Sequence, residues 1–369
     1  MFAQLRSARR AFVLPLIAVS FSVASCQPQT SQAPIGTTDG SPAGSPAAAG
    51  GNGANVSLTG AGASFPAPLY QRWFSEYNKQ NPNVRVSYQS VGSGAGVEQF
   101  TQGTVDFGAS DTGMKKEEIA KVSKGAILLP MTAGSVVLAY NLPNVQNSIK
   151  LPRAVYSDIF LGKTKNWNDT RIAQANPGVT LPNTPITVVH RSDGSGTTSV
   201  FTKHLSAISP EWKSKVGDGK TVDWPVGVGA KGNEGVTAQI QQTQGAIGYT
   251  EYGYAKQQNI PVATLENKAG NFVEPTPESS SKTLAAVKLP ADLQVSITDP
   301  EGADSYPIVT YTWIMAYKNY NDPNKAQAMK NIIQYGLNEG QKFSEELGYV
   351  PLPEAVVDKV KAAANQIQS

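Results

Sequence analysis

The sequence predicts an α/β fold built on mostly parallel sheets. Short apolar runs alternate with segments of helical periodicity from residue 56 to the end of the chain. At three places, residues 60–66, 92–97 and 194–198, a strand-like run passes through a turn rich in glycine and serine into the start of a helix. Strands that alternate with helices in this way are typical of α/β proteins.

The first third of the chain supplies four strand candidates and three helix candidates. Between the first two strands, an apolar helix face begins at Leu69, and Ser64 is predicted to cap that helix with Pro66 in its first turn. Asp111 follows the third strand. The strand runs lie at 56–58, 84–88, 105–110 and 126–129, and helices are expected after Pro66, from Val97 and over 115–122.

The rest of the chain continues the alternation. Ile186 to Val189 is a buried strand candidate, and the helix after it places Phe201, His204 and Leu205 on one face. A surface loop is expected at 266–281. Further strands are predicted at 136–140, 245–249 and 308–317, and further helices at 153–161, 197–208, 236–242, 326–337, 342–347 and 354–367.

Composition excludes several classes of function. The chain has 369 residues, of which 16% are charged and 40% are hydrophobic, as in ordinary soluble proteins. Arg6, Arg9 and Arg10 account for the formal charge of +3, so the remainder is balanced. Nucleic-acid binders need a surplus of Lys and Arg, which argues against a nucleic-acid partner. Two histidines and one cysteine give no spacing typical of metal ligands, and neither a metal nor a cofactor is expected.

The N-terminus has the pattern of an export signal. Three arginines precede the apolar run from Ala11 to Val19, which is too short to span a membrane as a helix. Val23-Ala24-Ser25-Cys26 resembles the lipobox of bacterial lipoproteins, which implies cleavage after residue 25 and attachment of lipid, palmitate included, at Cys26. A secreted protein with an unpaired cysteine is the alternative. Residues 26–54 are poor in apolar and charged side chains and are expected to form a flexible tether.

The stretch from His190 to Thr198 is the strongest candidate for a binding site. Its glycines allow a tight turn, and the helix that follows offers backbone N–H groups without internal acceptors. Arg191 adds a cation, and Ser195 and Thr197 add hydroxyls. Together these groups suit a small oxyanion. An ordinary capped helix after a turn is the alternative.

The same residues resemble those of the phosphate-binding proteins of bacterial phosphate-specific ABC importers. The matching segments are residues 59–68, 105–111, 191–197 and 245–249, and the resemblance extends over about residues 56–369. It implies a two-lobed periplasmic-binding-protein fold of the second class. Lobe I would comprise 55–132 and 308–369, and lobe II 133–307, with crossings near residues 131–134 and 306–310.

The resemblance also implies a set of phosphate contacts. They are Ser64, Phe65, Ser93, Asp111, Arg191, Ser195, Gly196 and Thr197. Ser64 stands where a threonine is expected, which retains the hydroxyl. The implied partners are inorganic phosphate and the permease subunits with their ATPase. The receptor is expected to act outside the cytoplasm and to be monomeric.

The chemistry of the residues supports this assignment independently. Phosphate near neutral pH carries a proton and sulfate does not, so the acceptor-only carboxylate of Asp111 favours phosphate. Facing sulfate, a buried carboxylate would cost several kcal/mol. Asp193 lies two residues after Arg191 and can hold its guanidinium in place. A helix N-cap at Asp111 and a surface ion pair at Asp193 are the alternatives.

Other functions compete with phosphate transport. A phosphate sensor, a phosphate-scavenging surface lipoprotein or a structural adhesin would also suit a lipidated chain. A serine hydrolase that uses Ser195 is disfavoured, because Asp193 stands where the nucleophile motif requires glycine. His190 and His204 are the available bases, and both are expected to be structural.

Overall fold

A computed structural model describes residues 55–145 and 148–369. The signal peptide at 1–25, the tether at 26–54 and Cys26 lie outside these residues, so their assignments stay predictions. Among the described residues, no helix combines the length and the apolar character needed to cross a membrane.

Eleven strands, β1 to β11, are present in the described residues. In chain order they are Val56–Gly62, Val84–Ser90, Phe107–Ser110, Ala126–Tyr140, Lys150–Leu151, Thr187–Arg191, Val228–Ala230, Ala246–Glu251, Thr264–Glu266, Phe272–Val273 and Val309–Tyr317. Eight of them form one sheet in the order β2-β1-β3-β11-β4-β8-β6-β7, and β10-β9-β5 form a small second sheet.

Thirteen α-helices, α1 to α13, alternate with these strands in the same described residues. They span Ala67–Gln80, Ser93–Gln102, Lys116–Ile119, Arg153–Phe160, Thr170–Ala175, Gly196–Ile208, Pro210–Lys215, Gly232–Gln242, Tyr252–Gln257, Pro277–Ala285, Pro323–Leu337, Ser344–Leu347 and Glu354–Ala364. A short 3-10 helix, Glu339–Phe343, precedes α12.

Two sets of parallel strands flank an antiparallel centre. Strands β2, β1 and β3 are parallel, and so are β8, β6 and β7. Between them, β11 and β4 pair antiparallel with each other and with their outer neighbours. We call β2, β1, β3 and β11 the first half-sheet, and β8, β6 and β7 the second half-sheet. The predicted α/β class with parallel strands in each lobe is confirmed.

Strand β4 connects the two half-sheets. Residues 126–135 of β4 pair with β11, and residues 136–140 pair with β8. The expectation of two separate strands here was wrong. Pro130 has no N–H for a ladder, and its pairing with Trp313 coincides with a register shift between Thr312 and Trp313, which lets the strand continue. The predicted lobe boundaries fall in β4 and just before β11 and stay a prediction.

Two further expectations were wrong in detail. Residues 266–281 are not a plain loop, because they include β10 and the start of α10, whose capping box joins Thr276 and Ser279. Ser64 does not cap α1. That helix has Pro66 at its N-cap position with no side-chain cap, and the Ser64 hydroxyl is engaged elsewhere.

Candidate anion-binding site

The predicted phosphate contacts come together where strands end and helices begin. Ser64 and Phe65 follow β1, Ser93 opens α2, and Asp111 follows β3, all on the first half-sheet. Arg191 ends β6, and Ser195, Gly196 and Thr197 form the start of α6 on the second half-sheet. Each of these eight residues is buried. Polar groups from both half-sheets therefore meet in one enclosed cleft, at the edge where α/β folds bind ligands.

Asp111 is the one carboxylate among the predicted contacts, and its side chain bridges the two half-sheets. Thr312 of β11 donates to its Oδ1 at 2.9 Å, and Thr197 of α6 donates to its Oδ2 at 3.3 Å. Burial raises the pKa of Asp111 to about 6, although the Thr312 bond and the charge of Arg191 act in the opposite direction. Helix α3 begins at Lys116, so the alternative of a helix N-cap at Asp111 is wrong.

The Arg191 guanidinium is held by a paired carboxylate. Its Nε donates to Asp193 Oδ1 at 2.7 Å and its Nη2 to Asp193 Oδ2 at 2.5 Å, and the backbone N–H of Gly232 also donates to Oδ1 at 3.1 Å. Burial lowers the pKa of Arg191, but the hydrogen bonds and the charge of Asp193 raise it, and the net pKa lies above its ordinary value. The Arg191 side chain is 1% exposed and that of Asp193 is 11% exposed, so the ion pair is buried. The two parallel bonds to Asp193 fix the orientation of the Arg191 guanidinium.

Glycines let the two half-sheets approach closely beside these groups. The N–H of Gly94 in α2 donates to the carbonyl of Gly194 at 2.7 Å. A Cβ atom on Gly196 would lie 2.5 Å from Ser93 Oγ and 2.7 Å from Asp111 Oδ2. Glycine at 196 is therefore needed for the start of α6 to contact Ser93 and Asp111, and the two half-sheets are in direct contact at the cleft.

Three tyrosines fix the backbone of the turn after β1. The hydroxyls of Tyr88, Tyr254 and Tyr349 donate to three successive carbonyls, those of residues 63, 64 and 65, at 2.6, 2.7 and 2.7 Å. With the carbonyls held, the direction of the N–H groups in the same turn is fixed as well. This gives the cleft donors that need no reorganisation to meet an anion.

Ser195 has the position of an N-cap as well as that of a ligand contact. Its Oγ accepts from Thr198 N at 3.0 Å, which caps α6 and leaves the hydroxyl proton free to donate. His190 stacks on Trp224 with ring centroids 4.9 Å apart, and His204 Nε2 pairs with the Tyr156 hydroxyl at 2.7 Å. Both histidines are thus engaged away from Ser195.

Two buried polar residues of the cleft were missed from the sequence. Thr312 donates a hydrogen bond to the Asp111 carboxylate. The sequence feature that could have indicated it is a pair of threonines, at 310 and 312, in an otherwise apolar strand. Asn233, at the start of α8, donates to the Ser64 hydroxyl. The sequence feature that could have indicated Asn233 is a further glycine-rich stretch, at 227–235, which leads into a helix.

The fold and the cleft define a solute-binding protein. A family model described as the PBP superfamily domain matches residues 31–339. Two solved structures share the fold. One is a high-affinity periplasmic phosphate-binding protein bound with phosphate, with a TM-score of 0.68 and 20% identity, covering 83% of this chain and 93% of that one. The other, from Stenotrophomonas maltophilia, has a TM-score of 0.66 and 19% identity with the same coverage.

Sequence relatives narrow the class. The phosphate-binding protein PstS of Pasteurella multocida is 45% identical over 308 residues, which are 83% of this chain and 89% of that protein. PstS of Xylella fastidiosa strain 9a5c is 39% identical over 355 residues, which are 95% and 96% of the two chains. PstS of Methanocaldococcus jannaschii is 43% identical over 333 residues, 83% and 85%. The chain belongs to the PstS family of phosphate-binding proteins.

Proposed function

We propose that this protein is an extracytoplasmic receptor that binds inorganic phosphate and delivers it to an ABC importer. The observation that carries the proposal is the buried Asp111 carboxylate, which accepts a hydroxyl bond from each half-sheet and is close enough to Arg191 for that charge to lower its pKa. Donors suit the bare oxygens of phosphate, and the carboxylate suits its P–O–H. Membership of the PstS family supports the same function.

Each predicted contact has a role in this proposal. The hydroxyls of Ser64, Ser93 and Ser195, with the backbone N–H groups of Phe65 and Gly196, donate to unprotonated oxygens. Thr197 donates to one as well, once a phosphate oxygen replaces Asp111 Oδ2 as the acceptor of its 3.3 Å bond. Arg191 supplies the cation and Asp193 holds its guanidinium in place. Several charge-assisted bonds of about 1.5–3 kcal/mol each, less the cost of binding, give micromolar or tighter affinity.

Capture is proposed to proceed by closure. Phosphate first meets the groups of one half-sheet in an open form, and the start of α6 then brings Arg191 and the glycine turn against it. The closed form docks on the two permease subunits that carry the ATPase. A lipid at Cys26 would keep a monomeric receptor near its permease and raise its effective concentration there.

The cleft is proposed to bind and not to catalyse. Ser195 caps a helix, and both histidines have partners elsewhere. Among the described residues, no group of three or more His, Cys, Asp or Glu is arranged to hold a metal ion. Incubation with a generic phosphate ester is expected to release no alcohol above the uncatalysed rate.

Titration calorimetry tests the proposal. Phosphate is expected to bind with a Kd of micromolar or below, and sulfate at the same ionic strength is expected to give no heat at millimolar concentration. A protein that binds neither anion, or binds both equally, would contradict it. Phosphate, and not sulfate, is also expected to raise the melting temperature.

A further inference from the structure

Asn233 is a fully buried side chain whose amide meets the Ser64 hydroxyl across the cleft. Its backbone N–H donates to Ser64 Oγ at 3.1 Å and its Nδ2 donates to the same atom at 2.9 Å. Its Oδ1 accepts from Thr250 Oγ1 and from the backbone N–H of Glu251, both at 3.2 Å. A backbone N–H can only donate, so Oδ1 must face Glu251 and Nδ2 must face Ser64.

These two bonds determine what the Ser64 hydroxyl can do. A serine hydroxyl has two acceptor lone pairs and one proton to donate. Asn233 occupies both lone pairs, so the remaining capacity of Ser64 is to donate its proton. We propose that Asn233 is a positioning residue that closes on Ser64 and makes its hydroxyl an obligate donor to the anion.

The position of Asn233 makes this a contact of the closed form. Ser64 follows β1 in the first half-sheet, whereas Asn233 lies at the start of α8, which packs on β8 and β6 of the second half-sheet. Tyr254 of α9 holds the Ser64 carbonyl from the same side at 2.7 Å. Separation of α8 from the turn after β1 breaks the two bonds of Asn233 to Ser64, so the direction of the Ser64 proton is fixed only as the cleft closes.

The inference deepens the proposed function and rests on it. A hydroxyl that can only donate suits a bare phosphate oxygen and cannot accept the proton of P–O–H. The phosphate proton therefore does not face Ser64, and Asp111 is the buried carboxylate among the contacts that can accept it. Asn233 thus helps to determine that a bare phosphate oxygen faces Ser64 and that the protonated oxygen faces Asp111.

Two substitutions separate this role from a structural one. Asn233→Ala removes the Nδ2 donor and is expected to raise the phosphate Kd about tenfold, mainly by faster release. Asn233→Asp keeps the shape and the acceptor for Glu251 N–H, but it puts a carboxylate oxygen against Ser64 that takes up the hydroxyl proton. Asn233→Asp is therefore expected to raise the Kd about 100-fold. Loss of a residue needed for packing alone would lower the melting temperature in both variants without a matching change in the phosphate release rate.

A double-mutant cycle with Ser64→Ala tests whether Asn233 acts through the hydroxyl. In the Ser64→Ala background, Asn233→Ala is expected to change the Kd by less than about twofold. Asn176→Ala is the matched control, because Asn176 is buried and bonds Lys150 and Ile172 away from the cleft. It is expected to lower the melting temperature without changing the Kd.

Binding of radiolabelled phosphate, followed by a chase with unlabelled phosphate, measures the Kd and the release rate of each variant. Additive effects of the Ser64 and Asn233 substitutions would overturn the inference, as would an Asn233→Asp protein that binds phosphate as well as or better than Asn233→Ala. If the unsubstituted protein itself fails to bind phosphate, the proposed function fails instead. The two failures are therefore distinguishable.

Discussion

Replacing Asp111 with asparagine tests how the cleft distinguishes phosphate from sulfate. The substitution keeps the size and shape of the side chain but exchanges a carboxylate oxygen for an NH₂ donor. Asp111 is 2% exposed, and its carboxylate is bonded by Thr312 and Thr197. In the closed form a sulfate oxygen would face this carboxylate without a proton between them, whereas asparagine could donate to it.

The size of the expected change in sulfate affinity follows from the burial of the Asp111 carboxylate. An uncompensated buried charge costs about 3–5 kcal/mol, and each 1.4 kcal/mol is a factor of ten in affinity. Asp111→Asn is therefore expected to raise sulfate affinity by about 100-fold or more. Phosphate loses one charge-assisted bond of about 1.5–3 kcal/mol, so its affinity is expected to fall by about 10- to 100-fold.

Titration calorimetry with both anions at constant ionic strength measures the change. Asp106→Asn is the matched control, because Asp106 bonds Thr59 and Lys325 away from the predicted contacts, and its ratio of phosphate to sulfate affinity is expected to stay unchanged. An Asp111→Asn protein that still rejects sulfate as strongly as the unsubstituted protein would refute the reasoning.

Three further predictions concern the other side of the cleft and its closure. Arg191→Ala is expected to weaken phosphate binding at least 100-fold and Asp193→Ala about tenfold in calorimetry, because Asp193 acts through the guanidinium; an equal or reversed order would contradict this role. Gly196→Ala places a Cβ 2.5 Å from the Ser93 hydroxyl and is expected to lower phosphate affinity about 100-fold, whereas Gly235→Ala, whose Cβ has no neighbour nearer than 3.6 Å, is tolerated. Burial raises the pKa of Asp111 from 3.8 to about 6, so closing without phosphate is expected to take up a proton between about pH 4 and pH 6. This contribution to closure is complete below pH 4 and is lost as the pH rises through 6. Small-angle scattering without phosphate is expected to show a smaller radius of gyration at pH 4.5 than at pH 8, and a radius that does not change with pH, or increases at low pH, would count against it.

Local patterns in the sequence predicted most of the fold. Alternating strands and helices, apolar runs and glycine turns are properties of short segments, and they gave the α/β class and the positions of most elements. The same logic failed at Pro130, where a residue that ordinarily ends a ladder is accommodated by a register shift opposite Trp313. Such an accommodation depends on the partner strand, which lies more than 180 residues away in the chain.

Some contacts of the cleft could be predicted from local sequence patterns, and others join residues that are distant in the chain. Asp193 was predicted to hold Arg191 because a spacing of two residues at a strand end brings two side chains to one side. The bond between Asn233 and Ser64 joins residues 169 positions apart, and no local pattern fixes which hydroxyl an asparagine meets. For the same reason Ser64 was expected to cap α1, although the closed cleft engages its hydroxyl with Asn233.

A crystal structure of the protein grown with phosphate tests the role of Asp111 directly. We expect a phosphate ion enclosed between the two half-sheets, with one oxygen about 2.5–2.7 Å from an Asp111 carboxylate oxygen, the length of a short O–H···O⁻ bond. A phosphate ion bound with the Asp111 side chain turned away from it, or bound outside the cleft, would show that Asp111 does not select for phosphate.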